Sequence, residues 1–147
     1  RAMTSDRPED SPLLHRLVLP VRWADMDALG HVNNATYYTY FEQLRISWYE
    51  RLGLGDALGG GRQGPVVVRT ACDYRRAIRY PAELELRLYP GRLGNTSFQA
   101  RYEVRDAADP ATLYAEGEAV SVWVDHALDR AVPVPAVIRQ ALAGRSS

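Results

Sequence analysis

The chain of 147 residues contains no lysine; all 18 of its basic side chains are arginine, and they are matched by 18 acidic ones. Without lysine there can be no Schiff-base chemistry and no P-loop lysine. A formal net charge of zero argues against nucleic acid as the main partner, because phosphate binding needs a basic surplus. The arginine bias reads as genomic composition, although arginine suits bidentate contacts and a local cluster could hold a nucleotide-like ligand. A single cysteine, Cys72, excludes an intrachain disulfide and a cysteine zinc site and fits a reducing compartment. Its place in mid-strand among apolar neighbours suits a buried, inert thiol better than a nucleophile. There is no apolar run of membrane-spanning length and no visible signal-peptide pattern, so the expected location is cytoplasmic and no membrane partner is expected. Also missing are a G-x-S-x-G elbow, an H-E-x-x-H helix, a P-loop and a dinucleotide fingerprint. His15 and His126 show no metal-ligand spacing, and no metal site is expected.

What is present is enough apolar content, 46%, to build one core, so residues 13–143 are expected to form a single domain. Residues 1–12 are polar and proline-bearing and are expected to be disordered, with Arg1-Ala2 read as an expression remnant. Residues 14–23 read as a strand in which Pro20 marks an edge or a bulge. From Ala35 to Leu52 the pattern turns helical, with Tyr37, Phe41, Leu44, Trp48 and Leu52 at spacings of 4, 3, 4 and 4. Aromatic residues fall on several faces of this helix, which implies that sheet wraps it. The glycine-rich stretch 55–64 reads as a linker or a lid. Four further strands are expected over 65–76, 82–92, 96–106 and 112–125. Gly94-Asn95 should form a hairpin, and Leu84, Leu86 and Leu88 alternate with charged residues as on a sheet with one wet face. A short strand at 128–134 and a short helix at 135–143 complete the chain. The expected fold is α+β: one long helix and four strands in a meander, the antiparallel sheet curled around the helix.

The chemistry concentrates in Arg22-Trp23-Ala24-Asp25-Met26-Asp27-Ala28-Leu29-Gly30-His31-Val32-Asn33-Asn34. Two carboxylates, a histidine and two side-chain amides lie between a strand and the start of the long helix. For any one of these residues alone a structural role is the default: turn former, helix cap or surface histidine. A turn does not require all of them together. A helix N-terminus points free amides at the preceding loop, where they favour a nearby anion and a developing oxyanion. A carboxylate beside such amides can attack a carbonyl or activate water, and that suggests acyl chemistry.

The stretch D-M-D-A-L-G-H-V-N-N-A-T-Y-Y-T-Y-F-E-Q-L-R resembles the signature of the hotdog-fold thioesterases, in particular the 4-hydroxybenzoyl-CoA thioesterase-like branch of acyl-CoA thioesterases. Tyr74-Arg75-Arg76 through Pro81, and Leu93-Gly94-Asn95-Thr96-Ser97-Phe98, agree with it, and the resemblance runs over about residues 15–130. It implies a hotdog fold: an antiparallel curved sheet around one long central helix. The second acid of the family's D-x-D, here Asp27, becomes the catalytic carboxylate, as nucleophile or as general base. The amide at the helix start, here near Asn34, becomes the group that polarises the thioester carbonyl. His31 falls where plant acyl-carrier-protein thioesterases carry a histidine, but those enzymes also have an asparagine two residues after the acid, where this chain has Leu29. Asp25 is expected to serve the scaffold. Tyr37, Tyr38 and Phe41 would lie near the acyl group, with core packing as their alternative role. Arg76 and Arg79, in the cluster with Arg75, and Arg92 would meet the phosphates of coenzyme A, with a solvated surface as the default.

The activity implied is hydrolysis of an acyl-CoA to free acid and CoA, with no cofactor beyond the coenzyme A of the substrate. The alternatives are a thioesterase for acyl carrier protein, or a non-catalytic acyl-CoA binder. The implied assembly is a homodimer or a tetramer of dimers.

Overall fold

The structure, a computed structural model, describes residues 11–144. The expectation of disorder over 1–12 therefore lies almost wholly outside the described residues. Strand β1 (His15–Pro20) leads through a 3-10 turn at Trp23–Asp25 and the chemistry-bearing loop into helix α1 (Thr36–Arg51). A second 3-10 turn at Gly55–Ala57 precedes β2 (Gln63–Tyr74), β3 (Glu83–Leu93), β4 (Ser97–Asp106), β5 (Leu113–Asp125), the two-residue β6 (Arg130–Ala131) and helix α2 (Ala136–Leu142). The strands pair antiparallel in the order β1-β3-β4-β5-β2, with β6 added beside β5. The sheet curls around α1, the hotdog arrangement, and every element falls within a few residues of its sequence expectation.

One expectation needs correcting. The four long strands do not form a meander: only β3, β4 and β5 do. Strand β2 pairs with β5, at the opposite edge from β1, and leaves the neighbouring place on β3 to β1. The physical reason lies in residues 75–82, which are too long for a tight hairpin and carry a side chain that must be buried. Ile78 has no exposed surface, and its carbonyl accepts the Val32 N–H at 2.8 Å. The crossing segment is thus packed beneath the loop before α1.

Helix α1 buries Tyr37, Tyr40, Phe41, Leu44, Trp48 and Tyr49. Its partners across the sheet include Phe98, Tyr102 and Trp123. Each fully buried side chain of this size stabilises the fold by about 1.5–3 kcal/mol, so the aromatic helix face is a large part of what fixes α1 in the sheet. Leu84, Leu86 and Leu88 point inward and are wholly buried. The opposite face is less wet than the alternation implies. Glu85 and Glu103 are each only 5% exposed, because arginines cover them: Arg16 and Arg87 reach Glu85 at 3.3 and 2.6 Å, and Arg105 reaches Glu103 at 2.8 Å. Leu54, Ala57 and Leu58, next to and within the glycine-rich stretch, pack against the core.

Two edges of the sheet differ. Strand β1 is short and ends at Pro20, which limits further pairing. Strand β2 is long, and it exposes Val66, Val67 and Val68 to 40, 39 and 59%, with a bulge between Val67 and Arg69 where the register shifts. Among the described residues no helix is long and apolar enough to cross a membrane.

Candidate active site

Residues 22–35 form a tight loop whose two acids point different ways. Asp25 turns inward and is 3% exposed. It accepts the Arg22 N–H at 2.9 Å, the Arg22 guanidinium at 3.0 and 3.1 Å, and the Tyr40 hydroxyl of α1 at 2.8 Å. Burial would raise its carboxyl, but the Arg22 amide, Tyr40 and the Arg22 charge outweigh that and hold it below the usual carboxylate range. Its own carbonyl accepts the Asn33 N–H at 3.0 Å. Asp25 is therefore the anchor of the loop and is fully engaged in scaffold contacts.

Asp27, two residues on, faces the other way. Its Oδ1 accepts the Leu29 N–H at 2.9 Å and its Oδ2 accepts the Asn33 side-chain amide at 3.0 Å. Its backbone N–H donates to the His31 carbonyl at 3.1 Å, and its carbonyl accepts the Gly30 N–H at 3.0 Å. Gly30 closes this turn at φ +87, a conformation that other residues adopt only at a cost. The carboxylate is held without a cation: among the described residues no arginine or histidine lies within ion-pair distance of it.

Asn33 ties the acid to the helix. While its amide donates to Asp27, its Oδ1 accepts the Ala35 N–H at 2.9 Å and its backbone carbonyl accepts the Thr36 N–H at 3.0 Å. This is an Asx-turn that sets the backbone just ahead of the helix; the N-cap residue Ala35 has no side-chain cap bond. The sequence signal for it was the asparagine pair itself, but only the geometry shows that Asn33, and not Asn34, contributes its side chain. With the next two N–H groups taken, the Asn34 N–H has no acceptor among the described residues. The Asn34 carbonyl accepts the Tyr74 hydroxyl at 2.8 Å.

These groups open on one cleft of about 290 Å³ lined by Asp27, Leu29, His31, Val32, Asn34, Tyr37, Tyr74, Arg75, Arg76 and Ala77. Of the residues expected to act, Asp27, His31, Asn34, Tyr37 and Arg76 are brought together here. The His31 imidazole forms no hydrogen bond to the Asp27 carboxylate; its Nδ1 lies 3.5 Å from the Val32 carbonyl. Tyr74 and Arg75 join the lining. Arg75 is engaged by Glu116 at 2.9 Å and Asp73 at 3.8 Å, whereas Arg76 and Arg79 have no carboxylate within 4 Å among the described residues. Arg79 faces an adjoining groove with Glu83, Asp106 and Tyr114, and Ala77 is common to the linings of both.

Three expected residues lie elsewhere. Phe41 is wholly buried and stacked on Tyr102 at 4.7 Å, so it belongs to the core. Tyr38 packs edge-on to Phe41 at 6.1 Å and does not line the cleft. Arg92 sits near the end of β3, beside the hairpin that follows, and lines neither the Asp27 cleft nor the adjoining groove. Cys72 is half-buried, and burial pushes its thiol up to about 11, where it stays protonated at neutral pH. Among the described residues no three His, Cys, Asp or Glu side chains converge to hold a metal ion.

The sequence profile of the thioesterase-like superfamily matches residues 21–142. The chain belongs to this superfamily. The match takes in the Asp25–Asn34 loop and all of α1. This thioesterase-like protein is 43% identical to the PA2801 protein of Pseudomonas aeruginosa, over 89% of this chain and 99% of that one, with a TM-score of 0.85. The PA5185 protein of the same organism superposes with a TM-score of 0.82 at 34% identity, over 92% and 94% of the two chains. A 1,4-dihydroxy-2-naphthoyl-CoA hydrolase from Prochlorococcus marinus is 33% identical over 110 residues, 67% of this chain and 69% of that protein. The YsmA protein of Bacillus subtilis is 32% identical over 83 residues, so the chain matches about half the length of that relative, 54%.

Proposed function

We propose that this protein hydrolyses an acyl-CoA thioester to free acid and CoA, with Asp27 as the working carboxylate. The observation that carries the reading is the Asp27–Asn33–helix arrangement: an anion held by two donors, with an unaccepted N–H at the helix start on the same cleft. Asp27 either attacks the thioester carbonyl or takes the proton of a water that does. The Asn34 N–H and the positive end of α1 face the oxygen on which charge develops, where fixed donors stabilise the transition state. His31, on the cleft wall, is placed to orient water.

Coenzyme A leaves as the thiol, and no other cofactor enters the scheme. Arg76 and Arg79, the cations of this region without carboxylate partners, are the candidates for its phosphates. The similarity to a 1,4-dihydroxy-2-naphthoyl-CoA hydrolase supports CoA as the carrier. The valine-lined free edge of β2 is the natural seam for a second copy, giving a homodimer or a tetramer built from dimers.

The test is thiol release from a panel of acyl-CoAs and from the same acyl groups on pantetheine and on acyl carrier protein. Wild type is expected to turn over at least one CoA thioester, and Asp27→Asn to lose about 10²-fold or more of kcat while melting like wild type. Full activity in Asp27→Asn refutes the mechanism. Faster turnover on the carrier protein than on CoA points to the carrier-protein enzyme, and tight binding without hydrolysis to a binder.

A further inference from the structure

We infer that Tyr74 is a positioning residue for the hydrolysis proposed above, acting through its hydrogen bond to the Asn34 carbonyl on the backbone that presents the oxyanion donor. The inference rests on the hydrolase reading for its catalytic meaning and on the structure alone for the clamp itself.

Residue 34 is held from two sides. Asn33 grips the N–H groups of the two residues that follow, and Tyr74, the last residue of β2, donates its hydroxyl to the Asn34 carbonyl at 2.8 Å. The Asn34 side chain is exposed and makes no hydrogen bond of its own among the described residues. Without Tyr74 residue 34 would be held only through Asn33, whose side-chain and backbone oxygens accept the Ala35 and Thr36 N–H groups, and its own carbonyl would have no donor among the described residues. The Tyr74 ring is fixed in its turn: it meets the buried Tyr37 ring edge-on, at 4.8 Å and 84°, and lies against Tyr38 and Cys72. Desolvation raises the Tyr74 phenol well above its ordinary value, with a contribution from Cys72. The hydroxyl therefore stays protonated, and able to donate, throughout the pH range in which a thioesterase is assayed.

An oxyanion donor is effective only when it points at the place the oxygen will occupy, 2.7–3.1 Å away. The Asn34 N–H belongs to the Asn33–Asn34 peptide and the clamped carbonyl to the Asn34–Ala35 peptide, so Tyr74 acts on the donor through the φ and ψ of residue 34; a residue freer to turn about them loses part of that benefit even though the N–H is still present. Removing one donor altogether costs about 10²–10³ in kcat; loosening one by a fraction of an ångström should cost about tenfold. Tyr74 is 44% exposed and reaches the site from a strand edge, so its hydroxyl is not part of the core.

The experiment is Tyr74→Phe, which removes one oxygen and keeps the ring. Expected are a kcat about tenfold lower, KM within about twofold, an unchanged pH profile and an unchanged melting temperature. Tyr74→Leu, which also removes the cleft wall, should raise KM in addition. A Tyr74→Phe enzyme with wild-type kcat overturns the proposal, and so does one in which only KM moves. Amide NMR of the same pair of proteins reads the clamp with no substrate present. In Tyr74→Phe the Ala35 amide, which shares a peptide plane with the Asn34 carbonyl, should shift, and the Asn34 N–H should exchange faster. Unchanged amide signals overturn the clamp. If wild type hydrolyses no thioester, the hydrolase reading and the catalytic role of Tyr74 fall together, and the amide spectrum separately decides whether the clamp exists.

Discussion

Asn33 offers the sharpest test of the site, because its two side-chain bonds can be removed separately. Asn33→Ala removes both the donor to Asp27 and the acceptor for the Ala35 N–H. Loss of this turn bond should destabilise the protein by about 1 kcal/mol, or roughly 2–4 °C in Tm for a chain of this size. The freed Asp27 oxygen can turn to water, so its loss adds little to stability. The same freedom displaces the reacting carboxylate, and misplacement on the scale of 1 Å should lower kcat by about 10–100-fold. Asn33→Asp is the informative companion. It keeps the acceptor for Ala35 and puts an anion where the amide stood, 3.0 Å from Asp27 Oδ2. Even at the dielectric of water, two charges at that separation repel by about 1.4 kcal/mol, which is about one pH unit. The acid limb of the kcat profile should therefore move up by about one unit or more, and the same repulsion should lower stability at neutral pH by about 1.4 kcal/mol, a loss that fades in acid. The assay is thiol release from a hydrolysed acyl-CoA between pH 4 and 9, beside thermal melts. An Asn33→Ala protein with wild-type kcat, or an Asn33→Asp protein whose acid limb stays in place, would refute the claim that Asn33 aims the reacting acid.

Three further outcomes are expected. Tyr40→Phe removes a buried donor to the Asp25 anion, so stability at pH 7 should fall by about 1.5–3 kcal/mol. Because the folded Asp25 carboxyl lies below its unfolded value, that contribution is present above about pH 4 and lost as pH falls through the folded value; melts at pH 7 and pH 3 should show the gap between variant and wild type shrinking in acid. Gly117→Ala would place a methyl group 2.5 Å from two ring atoms of Phe41, which cannot retreat from Tyr102, so overpacking should cost about 1–3 kcal/mol; the second change Phe41→Leu should recover part of it in the same denaturation assay. Arg79→Ala should raise KM for an acyl-CoA by about three- to tenfold, the worth of one partly solvated phosphate contact, and leave the pantetheine thioester unaffected; equal effects on both substrates would remove Arg79 from the phosphate role.

Much of this fold can be read along the chain because its signals are local. The aromatic spacing of Tyr37, Phe41, Leu44 and Trp48 defines α1, and the Leu84, Leu86 and Leu88 alternation defines β3. The place of β2 is not local. Pairing partners for its backbone lie some 50 residues away on β5, and nothing in Val66, Val67 and Val68 distinguishes β3 from β5 as a neighbour. The buried state of Glu85 and Glu103 is hidden for a similar reason: their covering arginines come partly from other strands. In the site, composition pointed to this loop, and side-chain direction separates the roles proposed for its residues. Asp25 and Asp27 are the same residue type two positions apart, and only the inward reach of Tyr40 and Arg22 separates the anchor from the acid proposed to react. Asn33 and Asn34 are likewise indistinguishable until one is seen to donate its amide to Asp27.

The way Asp27 is held leaves the tip of its loop free to change. Leu29 serves the carboxylate through its backbone N–H, while its side chain stands 79% exposed at the mouth of the cleft. Ala28 beside it is exposed as well. Position 29 can therefore exchange one side chain for another without disturbing the Leu29 N–H to Asp27 bond, provided the backbone path through Gly30 is kept. On the proposed hydrolysis, the loop separates a fixed carboxylate from an exposed tip, and a library confined to positions 28 and 29 is the economical test of whether that tip governs which acyl groups enter.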